Sequence, residues 1–169
     1  MKKIITKNII FRNGIYGGLL VSMVMASMTL YMKFHPNYEP SMFVGFLSMF
    51  IGFSFVFVGI KSCKAINNNL FTFGNAFKTG FLIALIISTL YVGTWLIIYY
   101  NFFPHFMEQY ATLALKHVKA EELAAKTADL NQMKEWYKNP LMVIVLTYLE
   151  ILPAGILSSF VSAFILRKK

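Results

Sequence analysis

Ser41 to Ile60 reads SMFVGFLSMFIGFSFVFVGI, twenty residues without one charge, with Gly and Ser set among Phe, Val, Ile, Leu and Met. Twenty helical residues at 1.5 Å each cover about 30 Å, the thickness of a bilayer's hydrocarbon core. A membrane strand would cross in a shorter segment of alternating polarity, a pattern missing here. The stretch therefore reads as a membrane-crossing helix. Three further blocks match it: Gly14 to Met32, Thr79 to about Tyr100, and Leu141 to Leu166. Only the last contains an ionisable residue, Glu150. The expected fold is all-α, an integral membrane four-helix antiparallel bundle forming one domain over residues 1–169. The expected spans are about 14–32, 41–60, 79–100 and 141–166, with an external amphipathic helical loop at about 104–138 between the third and fourth.

The composition agrees. Of 169 residues, 57% are hydrophobic and 14% charged, so the chain is too apolar for disorder. The net charge is +9, but the basic residues stand at the ends of apolar blocks and not along one face, which argues against a nucleic-acid partner. Cys63 is the single cysteine, so neither an intramolecular disulfide nor a thiolate metal cluster can form.

Short loops rich in Lys and Arg stay in the cytoplasm. Lys2, Lys3, Lys7 and Arg12 precede the first block, Lys61, Lys64 and Lys78 join the second to the third, and Arg167, Lys168 and Lys169 end the chain, with no acid among these segments. On the other side Lys33 is balanced by Glu39, and five lysines of the long loop are balanced by Glu108, Glu121, Glu122, Asp129 and Glu135. Both termini are expected in the cytoplasm and the long loop outside. Met1-Lys2-Lys3 and Val24-Met25-Ala26 imitate a cleaved signal peptide, but the apolar run continues to Met32, so the first block is expected to remain as a span.

In the long loop, Pro104 suits a helix start, and Phe106, Tyr110, Leu113 and Ala114 recur at helical spacing. Leu123, Leu130, Met133 and Tyr137 mark a second amphipathic stretch, with Glu122 and Lys126 in the favourable i, i+4 order. In the second-to-third connection, Asn67-Asn68-Asn69 signals a turn.

Membrane helices associate through small residues that let backbones approach. Gly45, Ser48, Gly52 and Gly59 form such a seam on the second span, Gly14 and Gly18 on the first, Gly80 and Ala84 on the third, and Gly155 and Ser159 on the fourth. These seams serve either the bundle interior or a homo-oligomer interface. The expected partners are membrane lipid and another membrane protein or a second copy of the chain.

Glu150 is the one ionisable residue within a span, and a carboxyl at that depth is a functional candidate by default. No Lys, Arg or His stands inside the other spans, so a neutral carboxyl is expected. Depth matching between the outward third helix and the inward fourth places it level with Tyr91, Thr94 and Trp95, each able to donate a hydrogen bond. Pro153, three residues on, removes a backbone donor and should bend the helix there.

No nucleophile elbow, phosphate loop or paired acids appear, so no enzyme activity, no cofactor and no metal is expected. His105 with Glu108 and His117 with Glu121 have helical ligand spacing, but nothing joins the two pairs, and solvated loop histidines are the expectation. The ten Met residues read as packing residues.

Several pieces in order carry a family resemblance: Gly59-Ile60-Lys61-Ser62, Phe73-Gly74-Asn75-Ala76-Phe77-Lys78-Thr79-Gly80, Phe103-Pro104-His105-Phe106-Met107-Glu108, Tyr137-Lys138-Asn139-Pro140, Leu149-Glu150-Ile151-Leu152-Pro153-Ala154-Gly155 and the Arg167-Lys168-Lys169 end. Together they resemble the bacterial membrane-protein family catalogued as domain of unknown function 4199. The resemblance covers nearly the whole chain. It implies a small four-span inner-membrane protein of Gram-negative bacteria and carries no catalytic residue over. The functional expectation is a non-enzymatic scaffold or accessory subunit of the cell envelope. The alternative is a small transporter or proton-coupled carrier that uses Glu150.

Overall fold

The computed structural model describes residues 2–67 and 71–167, with side chains from Thr6 onward. The side chains of Lys2, Lys3 and Ile4, the predicted turn residues Asn68 and Asn69 with Leu70, and Lys168 and Lys169 lie outside the described residues.

Six helices and no strand occur among the described residues: α1 Lys2–Phe34, α2 Met42–Ile66, α3 Phe73–Ile97, α4 Phe106–Leu115, α5 Leu123–Tyr137 and α6 Pro140–Leu166. One π-helical turn, Ile98–Phe102, extends α3. Four stretches are long and apolar enough to cross a membrane: Thr6–Phe34, Met42–Ile66, Phe73–Phe102 and Pro140–Leu166. Each runs past the uncharged block that marks it. Helix α2 continues through Lys61 and Lys64, and α3 begins six residues before Thr79, because Thr72 caps it by accepting from the Asn75 N–H at 3.3 Å. Basic residues thus sit in the terminal turns of helices, where long side chains reach the headgroups while the backbone stays helical.

The ends are closed by side chains. Asn67 Nδ2 donates to the Cys63 carbonyl at 2.8 Å, and the Leu141 N–H donates to Asn139 Oδ1 at 2.9 Å, with Pro140 in the first turn of α6. Inside the spans, several hydroxyls are satisfied within their own helix, while Ser22 and Ser88 Oγ are buried without a hydrogen-bond partner among the described residues. Thr79, Thr94, Thr147 and Ser159 donate to carbonyls four residues back at 2.7–2.8 Å, which hydrocarbon surroundings favour. Helix α6 runs unbroken through Pro153.

The four long helices alternate in direction, but their neighbours do not follow chain order. Helices α2 and α3 pack on each other, and each packs on both α1 and α6. That makes α2 and α3 the short diagonal of a rhombus, with α1 and α6 on its two sides. The parallel pairs α1 with α3 and α2 with α6 are therefore in contact, as well as the antiparallel ones.

The small residues decide where the backbones close. A Cβ at Gly17 would stand 2.6 Å from the Gly52 carbonyl oxygen, and one at Gly52 would stand 2.6 Å from Val21 Cγ1. Gly14 and Gly18 receive Ile86 and Leu90 of α3. Gly59 receives the tip of Ile83, and Gly80 lies against Ile60 and Ser159. Gly155 takes the Phe53 ring and the Ala84 methyl, and Ser158 Oγ of α6 donates to the Phe53 carbonyl of α2 at 3.1 Å. Gly17, which the expected seam of Gly14 and Gly18 leaves out, faces the backbone of α2 at Gly52. Gly45 departs from the expected seam: a Cβ there meets nothing within 4 Å. The glycines of α2 that meet another helix closely, Gly52 and Gly59, lie toward the end holding the termini. At the other end Gly45, Ser48 and Met49 border open space.

Candidate functional site

That open space is a cavity of about 560 Å³ at the end of the bundle covered by α4 and α5. Its walls are Val24 to Met32 of α1, Met42 to Met49 of α2, Tyr91 and Trp95 of α3, and Thr147 and Glu150 of α6. Phe106, Met107 and Tyr110 of α4 and Met133 and Tyr137 of α5 roof it. The roof is positioned by the π-helical turn, which the Phe103 N–H closes by donating to the Ile98 carbonyl at 2.8 Å. The extra residue in that turn lets α3 end with Trp95, Tyr99, Met107 and Val143 in one buried cluster. The Phe106 ring stands edge-on to Trp95 at 4.7 Å, and the Tyr137 ring edge-on to Tyr99 at 5.3 Å. Gln109 Nε2 pins α4 to the end of α1, donating to the Met32 carbonyl at 2.8 Å.

Glu150 stands at the inner end of this cavity and is accessible from it. The buried Tyr91 donates its hydroxyl to Glu150 Oε1 at 3.4 Å. Thr94 spends its hydroxyl on the Leu90 carbonyl, so it is not a partner of Glu150, because a threonine in a helix meets its own turn first. Trp95 lines the cavity but is held in the aromatic cluster, and among the described residues only Tyr91 hydrogen-bonds the carboxyl. Pro153 faces away from the core, one turn nearer the terminal end. The titratable groups lining the cavity are Glu39, Tyr91, Tyr110, His117, Tyr137 and Glu150, and among the described residues no Lys or Arg joins them. Outside the spans, burial first and the field of Glu150 second push the Tyr137 phenol up to about 12.

The cavity also collects seven of the ten methionines: Met25, Met28, Met32, Met42, Met49, Met107 and Met133. Sequence reasoning treated them as scattered packing residues. The signal was present, since Met25, Met28 and Met32 share one helical face, as do Met42 and Met49.

At the mouth, His117 Nε2 contacts Glu39 Oε1 at 3.0 Å, joining α4 to the α1–α2 loop. Its partner is therefore Glu39 and not Glu121, because α4 ends at Leu115 and His117 lies in the turn beyond it. His105 meets Glu108 at 3.3 Å on an exposed surface. In α5 the ion pair is Lys138 with Glu135 at 2.7 Å, while Glu122 serves as the N-cap residue. Among the described residues, no three His, Cys, Asp or Glu side chains gather closely enough to hold a metal ion.

One family model matches most of the chain. The chain belongs to the DUF4199 family. The match runs over residues 12–168, and the family's description is a protein of unknown function. No curated protein and no solved structure matches the chain. As a DUF4199 member with four membrane-length apolar helices, it is a membrane protein.

Proposed function

We propose that this DUF4199 protein is a small, non-enzymatic carrier of the bacterial inner membrane that takes one amphipathic molecule into its α1–α2–α3–α6 cavity, with Glu150 as the exchangeable proton site. The observation that carries this reading is the placement of the one intramembrane carboxyl, with Tyr91 as its donor, at the inner end of a cavity of about 560 Å³. That volume lies within the ~300–1,000 Å³ range of small-molecule sites, and an apolar wall with a few polar groups is their usual composition. A carboxyl open to such a space can exchange a proton for a ligand's charge, which a carboxyl sealed between helices cannot do. The excess of Lys and Arg near the terminal end supports a cytoplasmic location for both termini. A scaffold role has one observation of its own: α5 exposes most of its charged residues and buries only Leu130, leaving a solvated surface for a partner.

Trp95 is a built-in reporter of the cavity. With Trp136 replaced by Phe, a neutral brominated alcohol (8-bromooctan-1-ol) should quench Trp95 emission saturably in nanodiscs. Gly45→Phe, which fills open space, should abolish the saturable part. Quenching that rises only linearly, or that survives Gly45→Phe, overturns the carrier reading.

A further inference from the structure

We propose that the cavity is built for an organic cation, an amphipathic ammonium whose charged head meets Glu150 and whose apolar body lies along the methionine wall. The inference rests on the cavity-binding reading above and adds the chemical class of the ligand.

Three independent features agree on the sign of the charge. Among the described residues, the carboxyl at the inner end has one protein donor, the Tyr91 hydroxyl at 3.4 Å, and no Lys or Arg lines the cavity. A carboxylate accepts several hydrogen bonds, so a single long one leaves most of its acceptor capacity to a ligand. The second carboxyl of the lining, Glu39 at the mouth, meets the His117 ring, and Lys116 beside it donates to Asn37 instead at 3.4 Å, so among the described residues neither carboxyl of the lining has a Lys or Arg partner. Finally, Tyr91, Trp95, Phe106, Tyr110 and Tyr137 all line the space. The faces of aromatic rings carry negative potential and attract ammonium groups, most strongly where water is excluded.

A bare metal ion suits this site poorly. One carboxyl and phenols do not make the six to eight oxygen ligands of calcium or the octahedron of magnesium. An ammonium needs less: one anion, ring faces, and apolar contact for its substituents. Methionine suits that last role, because its unbranched, polarizable chain adapts to ligands of differing shape.

The test uses the Trp136→Phe protein in nanodiscs and four brominated octyl probes that differ only in the head: primary amine, trimethylammonium, alcohol and carboxylate. Both cations should saturate Trp95 quenching at concentrations at least about tenfold below the alcohol, and the carboxylate should bind weakest. In Glu150→Gln the cations should fall to the level of the alcohol, while the alcohol itself is unchanged. Equal binding of cations and alcohol, tightest binding by the carboxylate, or cation binding indifferent to Glu150→Gln overturns the cation assignment while leaving cavity binding intact. Failure of all four probes to saturate overturns the carrier reading itself. Should Glu150→Gln fail to fold, the ranking of the four heads on the protein with Glu150 intact decides the question alone.

Discussion

Gly17 and Gly45 look alike in the sequence, since each sits among apolar residues of an uncharged block, and their replacement by Ala should have opposite effects. At Gly17 the added methyl would lie 2.6 Å from the Gly52 carbonyl oxygen and 2.7 Å from Ile87 Cδ1. Carbon and oxygen ordinarily approach to about 3.3 Å or more, so α1 and α2 must part by roughly 0.7 Å. The Ile87 tip can rotate aside, but the carbonyl belongs to the backbone of α2 and moves only with the helix. Overpacking of this kind costs about 1–3 kcal/mol, offset by up to ~1 kcal/mol of helix propensity on replacing Gly. A net loss of up to about 2 kcal/mol lowers the folded-to-unfolded ratio by up to roughly 30-fold. At Gly45 no atom lies within 4 Å of the new methyl, and only the propensity gain of about 0.5–1 kcal/mol remains. Since the propensity gain is common to both, the two variants should differ by the overpacking cost, about 1–3 kcal/mol. The assay is unfolding by rising SDS fraction in mixed micelles, followed by tryptophan emission. Gly17→Ala should unfold earlier than the unaltered protein and Gly45→Ala no earlier. Equal midpoints for the two variants, or a gain at Gly17, would refute the assignment of the α1–α2 contact and of the open end of α2.

Raising the pH should expose the enclosure of Tyr137. Its phenol titrates near 12 in the folded protein against 10 when unfolded, so the folded state favours the neutral form. The associated stability is complete below pH 10 and is lost as the pH rises toward 12. Tyr137→Phe should lose less stability across that window in the same micelle assay, and an identical alkaline loss would remove the premise. Cys63, fully buried at the terminal end of α2, should resist N-ethylmaleimide in the folded protein and react once SDS unfolds it; labelling before unfolding would show that this end of the bundle is open.

Much of this fold is legible in one dimension because a membrane imposes a one-dimensional rule. Hydrocarbon leaves backbone groups no outside partner, so an uncharged run of about twenty residues must be a helix, and the charges between runs mark its ends. Glu150 was conspicuous for the same reason, and counting residues along two antiparallel helices placed Tyr91 opposite it. What could not be read was lateral order. Small residues announce close contact without naming the partner, so the packing of α1 on α3 and of α2 on α6, both parallel pairs, had no signature. Nor did the difference between Gly45 and Gly52, which depends on Gly52 meeting Val21 and Gly17 of α1 while a Cβ at Gly45 would meet no neighbouring atom within 4 Å. The cavity lies on that open side of α2. Its methionines and tyrosines come from five helices, and the shared face of Met25, Met28 and Met32 within one segment does not tell packing from cavity lining. The sequence alone determined which segments are long and apolar enough to cross a membrane and that one carboxyl lies within them, since both follow from solvation along the chain. Only the tertiary structure decided that this carboxyl faces a space large enough for a ligand, because a cavity is set by where helices fail to meet.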